Sequence, residues 1–296
     1  MGMTFREFFK RLTRNEGNPA IQQPASDIIS SMNVGRPSIV VALSLAMVLP
    51  VMPSGAHSSP GQEDSRTKAA RQLLQRYNEE LASIYEDLQE NTRRSNRRAL
   101  RGCEDLRMAF TERLLGNDIS AKFFGYTLFF ESIAEFRLGR LDNAVWDWQV
   151  AQSILPELTA KSYRNFSDAE DFLVDNRLPA TIGDSLTPGG ENNHAPCTGR
   201  SSLKPLKPIR RIMPEFPPGA ALTGFKGTVV VEVVVGTDGV PRTPRLIESS
   251  GVTTADAVAL LALRDWRFRP ARCGDEPIES TYRLAVEYSQ RPGRVH

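Results

Sequence analysis

Apolar residues recur at alternating steps of four and three from Ala70 through Leu74, Tyr77, Leu81, Ile84 and Leu88. That spacing lays one stripe along a long amphipathic helix. A second stripe runs through Leu106, Phe110 and Leu114, with Cys103 on the same face as a small buried thiol, until Gly116-Asn117-Asp118 stops it. Leu138-Gly139 ends a further helix, and Asp142 opens the next with Ala144, Trp148, Ala151 and Leu155 before Pro156. Ser167 and Glu170 in "SDAE" have capping-box spacing and predict one more helix start. From 178 to 207, Gly, Pro, Asn and Ser replace the periodicity, as in a linker.

Beyond the linker the period falls to two. "GTVVVEVVVGTDGV", 227 to 240, reads as a valine-rich strand ending in a Thr-Asp-Gly turn, and "PRTPRLIESSG" returns antiparallel. Ala255, Val258, Ala259, Ala262, Leu263 and Trp266 then mark one face of a helix, with Thr253 and Asp256 as its expected capping pair. The last segment alternates Ile278, Tyr282, Leu284, Val286 and Tyr288 against Glu279, Arg283 and Glu287, the pattern of a half-buried strand. The fold class expected is α followed by α+β. A helical bundle occupies 67–177 and a linker 178–207, and 208–290 form one helix on a three-stranded antiparallel sheet.

Charge and targeting refine this outline. "RDWRFRPA", 264 to 271, interleaves rings and arginines in the manner of single-strand nucleic-acid grips. A net charge of +2 offers no global basic field. Trp266 and Phe268 continue apolar faces on either side, so both are expected in the core and no nucleic-acid partner is assigned. The arginines at 93, 94, 97, 98 and 101 lie beside Glu79, Glu80, Glu86 and Asp87 and read as a solvated helix face.

The apolar run Ser38 to Met52 is short for a membrane span and is followed by Ser54 and Ala56 at small-residue cleavage spacing. Residues 32–56 are therefore expected to be a secretory signal peptide starting at Met32, with 1–31 a doubtful upstream extension. The alternative is an uncleaved anchor that makes the protein a single-pass inner-membrane protein facing the periplasm. On either reading the remainder is exported, to the periplasm if cleaved.

Export places Cys103, Cys197 and Cys273 in an oxidising compartment, where three pairings exist and Cys197–Cys273 is the expected one. His57, His194 and His296 lie in linkers or at the terminus without triad or metal neighbourhoods, and His194 with Cys197 falls short of a four-ligand site. No catalytic residue, metal or cofactor is expected.

Two resemblances extend these readings. "FRLGRLDNAVWDWQVAQSILPEL", 136 to 158, resembles the second half of a tetratricopeptide repeat, with small alanines allowing close helix approach. "PEFPPGAALTGFKGTVVVEVVVGTDGVPRTPRLIESSG" together with "ALRDWRFRPA" resembles the carboxy-terminal domain of TonB-type energy transducers. Gly227, Asp238, Gly239, Trp266, Phe268 and Pro270 hold its signature positions across 214 to 288.

The TonB resemblance implies binding of a protein or extended peptide, such as the box segment of an outer-membrane transporter, added as a strand to a sheet edge. Carried over by position, Pro214, Glu215, Phe216 and Pro217 match the partner-contact motif before the sheet. Ile278, Ser280, Tyr282, Leu284 and Val286 lie on the accepting strand. Glu215 and Phe216 replace the usual Gln and Tyr, 38–52 has no histidine, and the long Pro-rich spacer is missing. The expected function is an exported envelope adaptor. A membrane-anchored energy transducer and a scaffold that homodimerises through the edge are the alternatives.

Overall fold

The stripe from Leu74 to Leu88 is buried along helix α1 (Ser65–Glu90) in the computed structural model, which describes residues 65–111, 117–160, 163–178, 203–214, 217 and 225–288. The chain divides into two compact units, 1–86 and 87–296, so the division falls inside α1. The leader or anchor expected at 32–56 and the extension before it lie outside the described residues. No helix among the described residues is long and apolar enough to cross a membrane.

Within 87–296, helix α2 (Arg93–Thr111) starts with a reciprocal cap. Thr92 Oγ1 accepts from the Ser95 amide at 3.0 Å, and Ser95 Oγ accepts from the Thr92 amide at 3.0 Å. Cys103, Leu106 and Phe110 are buried on one face as the stripe requires, while Leu114 lies outside the described residues. Arg98 bonds Asp87 at 2.6 Å and Glu90 at 2.7 Å.

Helices α3 (Asn117–Arg137) and α4 (Leu141–Ile154) form the hairpin expected around Leu138-Gly139, and Gly139 turns it at φ 77°. Close approach is built in at Gly125, where an added Cβ would sit 2.7 Å from Leu155 Cβ. The bundle core gathers around Phe129, whose ring lies 5.6 Å from Trp148, 5.3 Å from Tyr163 and 5.9 Å from Phe166. Trp148 Nε1 donates to Leu173 O at 2.8 Å and so ties in α5 (Glu170–Asp175). The cap expected at Ser167 does not form: Ala169 precedes α5 without a side-chain cap, because a turn at 167–169 takes up the residues that would have supplied it.

The carboxy-terminal module is the expected helix on a three-stranded antiparallel sheet. Its strands are β3 (Gly227–Val235), β4 (Pro241–Glu248) and β8 (Ser280–Tyr288), in spatial order β4-β3-β8, with helix α6 (Thr253–Leu263) against them. β3 and β8 pair without a break from Gly227↔Tyr288 to Val235↔Ser280. β3 and β4 pair with two register shifts, and Thr243 in β4 has φ 54°. Val229, Val231, Val233 and Val235 are buried, as alternation predicts.

Two small pairings complete the module. β1 (Leu203–Lys204) joins β6 (Ala271–Cys273), which also pairs with β7 (Glu276–Ile278), and β2 (Lys207–Arg210) joins β5 (Arg267–Arg269). Residues 203 and 204, at the end of the segment read as linker, are thus already held by backbone pairing.

Two local expectations for α6 are corrected. Val252, not Thr253, occupies the position before the helix, and it makes no side-chain cap. Asp256 instead reaches back: Oδ1 accepts from the Ser250 amide at 2.8 Å and from Ser250 Oγ at 2.6 Å, and Oδ2 from Ser249 Oγ at 2.5 Å. The serines upstream outcompete the helix terminus for this carboxylate. Nor is the buried surface one stripe, because Thr254, Ala257 and Leu260 are buried together with Ala255, Ala259 and Leu263. The reason is a second covering layer. α6 lies against β3 and β4 on one side and packs with α2, α3 and α4 on the other.

Candidate partner-binding site

The site is assembled from the "RDWRFRPA" stretch outward. Arg264 follows the last turn of α6, and Trp266 is fully buried. Trp266 Nε1 donates to Ile212 O at 2.7 Å, and the Arg211 guanidinium lies 5.9 Å over its ring. The segment leading to Pro214 is thereby pinned to the core. On its other side Trp266 meets Phe268 at 6.0 Å and Tyr282 of β8 at 6.2 Å, and Phe268 meets Tyr282 edge-on at 5.0 Å. One aromatic cluster therefore brings the pre-sheet segment and β8 to the same part of the module.

The Asp-Gly turn is fastened to that cluster. Gly239, at φ 78°, accepts on its carbonyl from the Phe268 amide at 2.9 Å. Asp238 Oδ1 accepts from the Val240 amide at 3.0 Å, and both its oxygens accept from Arg242. The bonds from Arg242 hold the Asp238 carboxyl down at about 2. A Cβ at Gly239 would collide with the Phe268 carbonyl and would require positive φ besides. Gly239→Val is expected to destabilise the module by about 2 kcal/mol or more, read as a shift in a denaturation midpoint.

β8 is strapped to the core along its length. Leu284, Val286 and Tyr288 are buried, and Tyr288 OH donates to Ala255 O at 3.0 Å, its phenol pushed up by burial. On the outward face Arg283 pairs across the strands with Glu232 at 2.8 Å. Leu284 and Val286 thus face the core with their side chains. Tyr282 is half-buried, and Ser280 Oγ donates to Ile278 O at 3.3 Å. Ile278 itself does not continue β8. It ends β7 opposite Ala271, because the turn at Gly274 starts a separate hairpin. Pro214 is half-buried and Pro217 buried, whereas Glu215 and Phe216 lie outside the described residues.

Cys103 is a buried free thiol, its pKa pushed well up by burial, and Cys273 is disulfide-bonded. Cys197 lies outside the described residues. Among the described residues no group of His, Cys, Asp and Glu is arranged to hold a metal ion.

A feature that residue patterns did not reveal lies under α6. Glu131 and Glu135 of α3 and Asp147 of α4 are all buried. Arg107 of α2 approaches Glu131 at 3.0 Å, Asn143 donates to Glu135 at 3.1 Å, and Arg264 reaches Asp147 at 3.4 Å. Glu135 and Asp147 also share a side-chain hydrogen bond. Burial pushes Glu131 up to about 8 and Glu135 up to about 9, and raises Asp147. The i,i+4 spacing of 131 and 135 was readable, but on an amphipathic helix such pairs normally face water. What gives them away is that α3 is apolar around much of its circumference.

The family model of the Gram-negative bacterial TonB protein C-terminal domain matches residues 213–289. Residues 213–289 are a TonB-type carboxy-terminal domain. Protein tonB2 of Pseudomonas aeruginosa is 32% identical over 75 residues, covering 25% of this chain and 28% of that protein. Protein TonB of Vibrio cholerae is 27% identical over 85 residues, covering 29% of this chain and 35% of that protein. The chain therefore spans about a third or less of these relatives' length. No solved structure matches the chain.

Proposed function

We propose that the chain is a cell-envelope adaptor whose TonB-type domain binds an extended segment of a protein partner by strand addition along β8. The observation that carries this reading is the Trp266 cluster, which joins the pre-sheet segment at Ile212 to β8 at Tyr282. An added strand gains affinity from backbone hydrogen bonds, while side chains near Pro214–Pro217 and Tyr282 select its sequence. The family match supports an outer-membrane transporter as the partner class, with its box segment as the added strand. The protein works by binding and not by catalysis, in the periplasm after cleavage near Ala56. A Cys197–Cys273 disulfide ties the segment before the module to its β6–β7 hairpin. Alkylation without reductant is expected to leave both of these cysteines unmodified, and labelling of either contradicts the pairing.

A membrane-anchored energy transducer is the second reading, favoured by the TonB proteins among the relatives and by the apolar run at 38–52. Fractionation with amino-terminal sequencing separates the two. A soluble mature chain beginning near residue 57 supports the adaptor, and a membrane-retained chain carrying 38–52 supports the transducer. Binding itself is tested by titrating the full chain with synthetic box peptides while recording backbone amide spectra. Shifts confined to β8 and the pre-sheet segment are expected, and unchanged spectra at millimolar peptide overturn the proposal.

A further inference from the structure

A three-stranded sheet in the order β4-β3-β8 has two outer strands, and each is a potential template for another chain. The two differ here. β8 pairs with β3 over nine residues without a register break and contains no proline. β4 carries Pro241 and Pro244, which have no amide to donate, and is bent at Thr243 by a positive φ. Helix α4 of the bundle lies against β4 as well, and Ser153 Oγ donates to Pro244 O at 3.0 Å, so a carbonyl of this outer strand is already taken. Both prolines are buried.

The same docking is fixed a second time under α6. Arg264 extends from the module to Asp147, whose side chain is 1% exposed, among Glu131, Glu135 and Arg107 of the bundle. A contact between two parts of one chain that buries charged groups from both sides has a defined seat, since sliding would leave those groups unpaired. Thr254, Ala257 and Leu260 of α6 are buried in the same layer.

We propose that the helical bundle is an edge guard: seated on β4 through Ser153 and on α6 through Asp147, it closes the β4 edge in cis and confines added strands to the β8 side. Closure of β4 stands by itself, and the assignment of β8 as acceptor rests on the reading above. The consequence is stoichiometric. Each chain accepts one strand, and chains do not propagate edge to edge through β4. The helical segment thereby acquires a task that needs no ligand of its own.

The test uses the full chain, wild type and two variants. Ser153→Arg wedges the bundle away from β4 without altering the module, and Arg264→Glu adds a fourth carboxylate to the buried cluster. Hydrogen exchange and light scattering are recorded for each, and circular dichroism establishes which variants fold. Wild type is expected to be monomeric with slow exchange at 241–248. In a folded variant, exchange there rises by about tenfold or more while 280–288 stays within about twofold, and self-association appears. The proposal is overturned if a folded variant exposes 241–248 and remains monomeric, or exchanges there as wild type does. It is equally overturned if the wild-type chain dimerises with 241–248 gaining protection, a result that needs no variant to fold.

Discussion

Trp266→Ala is expected to destabilise the carboxy-terminal module by about 3–5 kcal/mol, the range for removing a large buried aromatic. The side chain is fully buried and in ring contact with both Phe268 and Tyr282. It also supplies the indole N–H that holds Ile212 O at 2.7 Å. Removing it leaves a cavity and an unpaired carbonyl together, so the loss exceeds that of an aliphatic truncation. Trp266→Phe keeps most of the volume and loses the hydrogen bond, with an expected cost of about 1–2 kcal/mol. Urea denaturation of both variants measures the difference. An alanine variant within about 1 kcal/mol of wild type would show that Trp266 does not anchor the module.

The second large effect is a loss of stability at alkaline pH. Glu131 and Glu135 are raised from the ordinary 4.5 to about 8 and about 9, with burial the leading cause. In the unfolded chain both ionise above 4.5, whereas the folded chain keeps their protons. The folded state therefore binds more protons throughout the window from 4.5 to about 9, and stability declines as pH rises across it. Their contribution is complete below 4.5 and gone above about 9. The groups around them are Asp147, Glu104 and Cys103 with Arg107 and Arg264, and the two arginines offset the carboxylates in part.

Each excess proton costs about 1.4 kcal/mol per pH unit, so the melting temperature should drop by several degrees between pH 6 and pH 9. Glu135→Gln keeps a neutral side chain at every pH and should flatten part of that decline. Equal melting temperatures at pH 6 and pH 9 would show that the carboxylates do not hold their protons in the folded chain.

The module was legible because its signals are local and mutually consistent. Valine alternation marks β3, the Asp-Gly pair marks the turn, and Trp266 with Phe268 continues apolar faces that meet in one cluster. The helical hairpin at Gly139 was readable for similar reasons. Less local choices escaped. Asp256 has the spacing of a helix cap, yet Ser249 and Ser250, close only after the loop folds back, capture it. Ile278 fits the alternation of β8, yet the Gly274 turn places it on another hairpin. Asp147, between two tryptophans, reads as the polar side of α4. Its burial depends on Arg264, 117 positions away, and no window of sequence contains both. The seat of the bundle on β4 was hidden for the same reason, since Ser153 and Pro244 are ordinary residues until the chain brings them together.

If β8 accepts an added strand and β4 does not, the two outer strands must respond differently to a bound peptide. Hydrogen exchange of the full chain, with and without a saturating synthetic box peptide, tests both halves in one measurement. Slowed exchange at 280–288 with 241–248 unchanged is the predicted result. Slowing at 241–248, or none at 280–288 with the peptide bound, would contradict it.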